Sequence, residues 1–195
     1  MNIGILLFHE VSELDVVGPF SVLNTALRFL PEDDKTQVFT IAKSRNSVQT
    51  SNEMTITPLY AFASAPPLDV LIVPGGRGID KALRDRAIAS YLPLVIPKLK
   101  LSASISSGAL LLGHYGLLRG KTVTTHPEVM SRLEDYEILR ASKDSVVYDD
   151  KVWTSNGSVA GIQLAFELCK GLFGDGITAK VADVLNVQTL QGQLF

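Results

Sequence analysis

Short, continuous apolar runs alternate along this chain with stretches of helical periodicity. Ile3 to Phe8 and Val70 to Val73 are continuous apolar runs, and Val38 to Ala42 and Ser102 to Ile105 read as further short strands. Strands buried on both faces read this way, as in a parallel sheet covered by helices on each side. Between them the spacing changes. Asp15 to Leu30 puts Val16, Phe20, Leu23, Ala26, Leu27 and Leu30 on one helical face, and Pro31 closes the segment. Ile79 to Leu99 reads as helical, with a break expected near Pro93 or Pro97. Ser107 to Tyr115 is a shorter helix, with Gly116 as its stop. Ser47 to Leu59 alternates weakly, as a hairpin or sheet-edge segment does. Lys121 to Thr125 is strand-like, and Val146 to Thr154, centred on Asp149-Asp150, predicts a hairpin. Gly161 to Leu172 and Ala179 to Leu185 predict two last helices.

Strands alternating with helices predict an α/β three-layer sandwich around a mostly parallel, doubly wound sheet of flavodoxin-like type, with right-handed crossovers. No repeat, low-complexity tract or linker interrupts the chain, so residues 1–195 are expected to form a single domain. Sheets of this kind bind ligands beyond the carboxyl ends of their strands. Three strand ends therefore matter: Phe8 onward, Pro74 onward and Ser106 onward.

Composition narrows the function classes. The net charge of −2 and the absence of any dense Lys/Arg stretch disfavour nucleic acid as a partner. No apolar run approaches the roughly 20 residues that cross a bilayer, so no membrane association is expected. The opening MNIGILLFHE lacks a basic n-region and a cleavage-site pattern, and reads as a core strand of a cytoplasmic protein. The one cysteine, Cys169, has no intrachain partner, and its apolar neighbours Ala165, Phe166 and Leu172 mark it as a packed small hydrophobe. No His/Cys/Asp/Glu group has metal-ligand spacing. Gly75-Gly76-Arg77-Gly78 lacks the Gly-Lys-Ser/Thr of a phosphate loop and the Rossmann spacing, which argues against a nucleotide. No cofactor is expected.

The candidate chemistry centres on Ser104-Ile105-Ser106-Ser107-Gly108-Ala109, a strand passing at once through a small-residue turn into a helix. A side chain there is lifted from the sheet and lies among free N–H groups that favour negative charge. Nucleophile elbows have this architecture, and so do plain tight connections. Asp15, between the first strand and its helix, is either an N-cap or a functional acid. His126, just before Pro127, either caps the helix beginning there or reaches the site. Arg77 is either an anion-steering charge at the mouth of a pocket or plain surface.

Several segments together resemble one family. Ile105-Ser106-Ser107-Gly108-Ala109, then Gly116-Leu117-Leu118-Arg119-Gly120, then Thr124-Thr125-His126 are similar to the Val-Cys-Thr-Gly-Ala, Gly-Leu-Leu-x-Gly and Thr-Thr-His of the ThiJ/PfpI family, within the class I glutamine amidotransferase-like superfamily. Phe8, Glu10, Leu14-Asp15 and Gly18-Pro19 resemble the opening of its isocyanide hydratase-like branch. Pro74-Gly75-Gly76-x-Gly78 resembles its Pro-Gly-Gly loop, and Thr154-Ser155-x-Gly157-x-x-Ala160-Gly161 its late helix start. The resemblance implies an acid–thiol site, with Ser106 at the family's cysteine position, Asp15 as the acid, Gly75 and Gly76 in the anion-binding loop, and Ser107 in place of a threonine. It also implies a homodimer.

Serine at that position changes the chemistry. A thiol becomes a thiolate readily at a helix N-terminus. A hydroxyl is a far weaker acid and needs an adjacent general base. Asp15 could serve only if burial raised its pKa; His126 is the other candidate. Two readings follow. One is a cofactor-free hydratase or amidase-like enzyme that is weakly active or inactive as written. The other is a non-catalytic domain that binds a small ligand, similar to the N-terminal domain of AraC-type regulators. Ending at Phe195, the chain is expected to have no room for the helix-turn-helix module of such regulators.

Overall fold

The computed structural model describes residues 1–187. Its strands are β1 (Asn2–Leu6), β2 (Gln37–Ala42), β3 (Val48–Gln49), β4 (Thr55–Ile56), β5 (Tyr60–Ala61), β6 (Val70–Val73), β7 (Leu101–Ile105), β8 (Thr122–Val123), β9 (Arg140–Ala141), β10 (Val146–Asp149) and β11 (Val152–Ser155). The α-helices are α1 (Glu13–Leu27), α2 (Ile79–Ala82), α3 (Arg86–Val95), α4 (Ala109–His114), α5 (Ser158–Phe173) and α6 (Asp175–Val184). Tight 3₁₀ turns cover Ile96–Lys98, Ser106–Gly108 and Pro127–Tyr136.

Seven strands form the central sheet in the order β10-β11-β7-β6-β1-β2-β5. All neighbours run parallel except the β10–β11 hairpin. The apolar runs of the sequence occupy its middle: Ile3, Ile5, Val70, Leu71, Ile72, Ala103 and Ile105 are fully buried. Helices flank the sheet, α1 with α5 and α6 in one group and α4 against β6 and β7 in another. The predicted mostly parallel α/β sandwich is therefore the observed fold.

The register positions the site. Val73 pairs with Ser104, and Ile105 with Ser155, so the segments leaving β6, β7 and β11 emerge at one edge. The first βα loop joins them there, because the Ser12 N–H donates to the Gly75 carbonyl at 2.8 Å.

Three details differ from expectation. Phe20 points outward from α1, which buries Val22 instead, because α5 packs at Gly18 through Ile162. The break in the Ile79 to Leu99 segment falls before Asp85, whose side chain accepts the Ala87 and Ile88 N–H groups and so starts α3. Pro93 is accommodated inside α3. The Lys121 to Thr125 strand is only the two residues of β8. The Ser47 to Leu59 segment resolves into the β3–β4 hairpin. No helix among the described residues is long and apolar enough to cross a membrane.

Candidate active site

The β7–α4 connection is a true elbow. Ser106 sits at φ +55°, a left-handed conformation that a non-glycine residue adopts at a cost of about 1–2 kcal/mol. The strain is held in place from both sides. The Thr125 hydroxyl donates to the Ser106 carbonyl at 2.8 Å, and the Gly76 N–H donates to the Ser107 hydroxyl at 3.2 Å. Ser106 itself is half-buried, while Ser107 is buried.

Gly75 joins the elbow to the acid. Its N–H donates to Asp15 Oδ2 at 2.9 Å. A Cβ on Gly75 would stand 2.7 Å from both the Ser107 nitrogen and hydroxyl oxygen and 2.9 Å from the Ser106 Cβ. Only a residue without a side chain lets the two loops approach this closely.

Asp15 is completely buried and is not a helix cap. Ser12 occupies the N-cap position, and Asp15 lies three residues inside the helix. The Ser12 hydroxyl donates to Asp15 Oδ1 at 2.9 Å. Burial pushes the Asp15 carboxyl above the usual aspartate range, against the opposing pull of the Ser158 hydroxyl, the Gly75 N–H, the Ser12 hydroxyl and His126. A raised folded-state value means that the folded protein binds this proton more tightly than the unfolded chain does. Stability from this group therefore falls as pH rises from the unfolded aspartate range, about 4, through the raised value, and then levels off. Asp15→Asn removes that titration. The wild-type minus Asp15→Asn difference in unfolding free energy, measured by urea titration across pH, should decline with rising pH over this window. A difference that is flat or rises would contradict the assignment.

An open pocket of about 330 Å³ lies over the elbow. Ser106, Ser107, Gly76 and His126 line it, so the structure brings these predicted residues together. Asp15 and Gly75 are not among its lining residues. His126 caps the following turn: its Nδ1 accepts the Glu128 N–H at 3.4 Å. No hydrogen bond links His126 to Ser106 among the described residues. Arg77 lines the pocket and has no ion-pair partner among the described residues. Arg132 also lines it, paired with Asp80 at 2.6 Å. Cys169 is fully buried, its thiol pushed up by burial and contacted by the Thr178 hydroxyl at 3.5 Å. No group of three or more His, Cys, Asp or Glu side chains is gathered closely enough to hold a metal among the described residues.

Sequence reasoning missed Ser12, Arg132 and Ser51, a pocket-lining residue whose hydroxyl accepts the Arg77 N–H at 3.2 Å. Ser12 was within reach, because Ser-x-x-Asp is the spacing of a capping box. Arg132 was not, because its partner lies 52 positions away.

Comparison with known proteins identifies the family. Residues 1–171 match the DJ-1/PfpI family. An isonitrile hydratase of Pseudomonas putida is 34% identical over 174 residues, covering 89% of this chain and 73% of that protein. The transcriptional regulator GbdR of Pseudomonas aeruginosa, of HTH type, is 21% identical, covering 98% of this chain and 52% of the regulator. A crystal structure of a THiJ/PfpI family protein from Pseudomonas syringae superposes with a TM-score of 0.88 at 23% identity, covering 98% of this chain and 77% of that one. The match over residues 1–171 and the 34% identity show the family: this chain belongs to the DJ-1/PfpI family.

Proposed function

We propose that this protein binds a small polar molecule of isonitrile or amide type in the elbow pocket, and that covalent chemistry there is weak or absent. The observation behind this reading is Ser106 itself, a hydroxyl on a strained elbow where the resemblance places a thiol. Gly75 links the elbow loop to the buried Asp15. Asp15 is buried, and burial raises its carboxyl pKa, the direction that favours holding a proton. A hydroxyl with no hydrogen-bonded general base among the described residues, and with His126 engaged in a cap, is a poor nucleophile. Gly75 and Gly76, expected in an anion-binding loop, already donate their N–H groups to Asp15 and to the Ser107 hydroxyl, which leaves the Arg77 guanidinium to attract polar or anionic ligands.

The likeness to GbdR favours a second reading, a ligand-sensing domain, since that regulator is similar to this chain over about half of its own length. Both readings require ligand binding at the elbow. Titration with a small alkyl isonitrile, followed by amide NMR, should shift Gly76, Ser107 and His126 without consuming the ligand. An absence of saturable shifts at these residues would remove the assignment of the pocket.

In the same reading the protein is cytoplasmic, folds as one domain and forms a homodimer. Leu14, Val17 and Phe20 on α1, and Val159 on the adjoining α5, leave apolar side chains exposed. Sedimentation at micromolar concentration should give twice the 21.1 kDa chain mass, and Val17→Glu should halve it. A wild type sedimenting only at the single-chain mass would remove this claim.

A further inference from the structure

A second cavity, of about 210 Å³, opens beyond the carboxyl ends of β1 and β2. It shares no lining residue with the elbow pocket. Helix α2 separates them: Ile79 and Asp80 face the elbow pocket, Lys81 and Ala82 the second cavity. A water needs only about 10–15 Å³ of such space, so the cavity has room for a molecule with a small ring. Part of its wall is apolar, beside the polar His9, Ser44, Asn46, Ser47 and Gln49. Leu7, Phe8, Ala42, Ala82 and Ile88 are buried side chains that line it. Phe62 adds a flat wall, held by parallel stacking on Tyr91 at 4.2 Å.

The charged residues lining it are two lysines and one aspartate. The aspartate is already committed. Asp85 Oδ1 accepts the Ala87 and Ile88 N–H groups that begin α3, and Oδ2 accepts Lys43 Nζ at 3.1 Å. Lys43 and Lys81 each have further N–H donors beyond the single bond recorded for each. Glu10, the partner of Lys81, does not line the cavity. Each lysine is paired once, and its remaining N–H donors, at the rim of the apolar part of the wall, are what an anionic occupant meets.

We infer that this cavity is a second binding site, for a small carboxylate with a flat apolar body. The ring lies among Phe8, Ile88 and Phe62, and the carboxylate meets Lys43 and Lys81 at the rim. Two lysines whose aliphatic stems edge an apolar cavity and whose ammonium groups stay near water suit such an amphipathic anion.

Benzoate and its neutral counterpart benzamide test this, titrated into the full chain and read by amide NMR. Benzoate should give saturable shifts at His9, Lys43 and Val48, with a dissociation constant on the order of 1 mM for so small a ligand. Benzamide should bind at least about five-fold more weakly. Lys43→Met should weaken benzoate by about five-fold without harm to folding, because an exposed ion pair contributes little to stability. Val48→Phe, which fills the cavity from its half-buried edge, should abolish the shifts. The proposal is overturned if benzamide binds as well as benzoate. It is equally overturned if shifts are absent at the highest soluble concentration, or fall only at Gly76, Ser106 and His126.

Discussion

Iodoacetamide should alkylate Ser106→Cys at residue 106 near neutral pH, while Cys169 in the same molecule stays unlabelled. Serine and cysteine are nearly isosteric, and residue 106 is half-buried on the wall of an open pocket, so the fold should accept the change and the reagent should reach it. The new thiol would sit where β7 turns into α4, among backbone N–H groups that favour its thiolate. Cys169 has the opposite setting. It is fully buried, and burial raises its pKa, so it reacts only when the structure opens locally. The rate ratio should be on the order of 100-fold or more in favour of residue 106. Peptide mapping after a timed pulse measures it. A thiol at residue 106 that stays unreactive up to its reference pKa of about 8.5 would mean that the elbow has lost its activating environment. The ligand-sensing reading would then be the better one.

Gly108→Ala should be among the most damaging single-methyl substitutions in the protein. An alanine Cβ there would lie 2.1 Å from the Val73 carbonyl oxygen and 2.8 Å from that of Pro74. Both are backbone atoms at the end of a central strand and cannot move aside cheaply. The elbow would have to lift away from β6, which would also break the Gly76–Ser107 hydrogen bond. The cost should be about 3 kcal/mol or more. For a chain of this size that lowers Tm by roughly 6–12 °C. Gly157→Ala is the control. That position has open space around it and an extended backbone that any residue adopts, so its change should stay within about 0.5 kcal/mol. Equal effects at the two positions would show that the close approach of the elbow to β6 is not a structural requirement.

The sheet was legible because β1, β2, β6 and β7 are buried on both faces and so appear as unbroken apolar or small-residue runs. The elbow was legible because a strand leads straight into Ser106-Ser107-Gly108. Asp15 was visible as a candidate, but its role was not. Whether an aspartate at a helix start caps or lies buried depends on which neighbouring residue takes the N-cap, and here Ser12 does. One break was legible, since α3 ends at Val95 just before Pro97, but the earlier one at Asp85 was missed because the prolines drew attention while Asp85 carried the N-cap signal. Phe20 was turned inward by periodicity alone, which takes no account of the α5 docking at Gly18. The pairing of Arg132 with Asp80, and the cavity between β1, β2 and α3, depend on segments far apart in sequence. No local pattern encodes them.

The central claim is that the family's scaffold is intact here and that the residue at position 106 limits its chemistry. Hydration of a small isonitrile to its formamide tests this directly, because one water is added across the terminal carbon and the product is easily followed. The rate should be measured for the wild type, Ser106→Cys and Ser106→Ala under identical conditions. The account predicts that wild type and Ser106→Ala remain at the buffer rate while Ser106→Cys gains measurable turnover. A wild type that hydrates the isonitrile well above buffer, and loses that activity in Ser106→Ala, would contradict it and make Ser106 a working nucleophile.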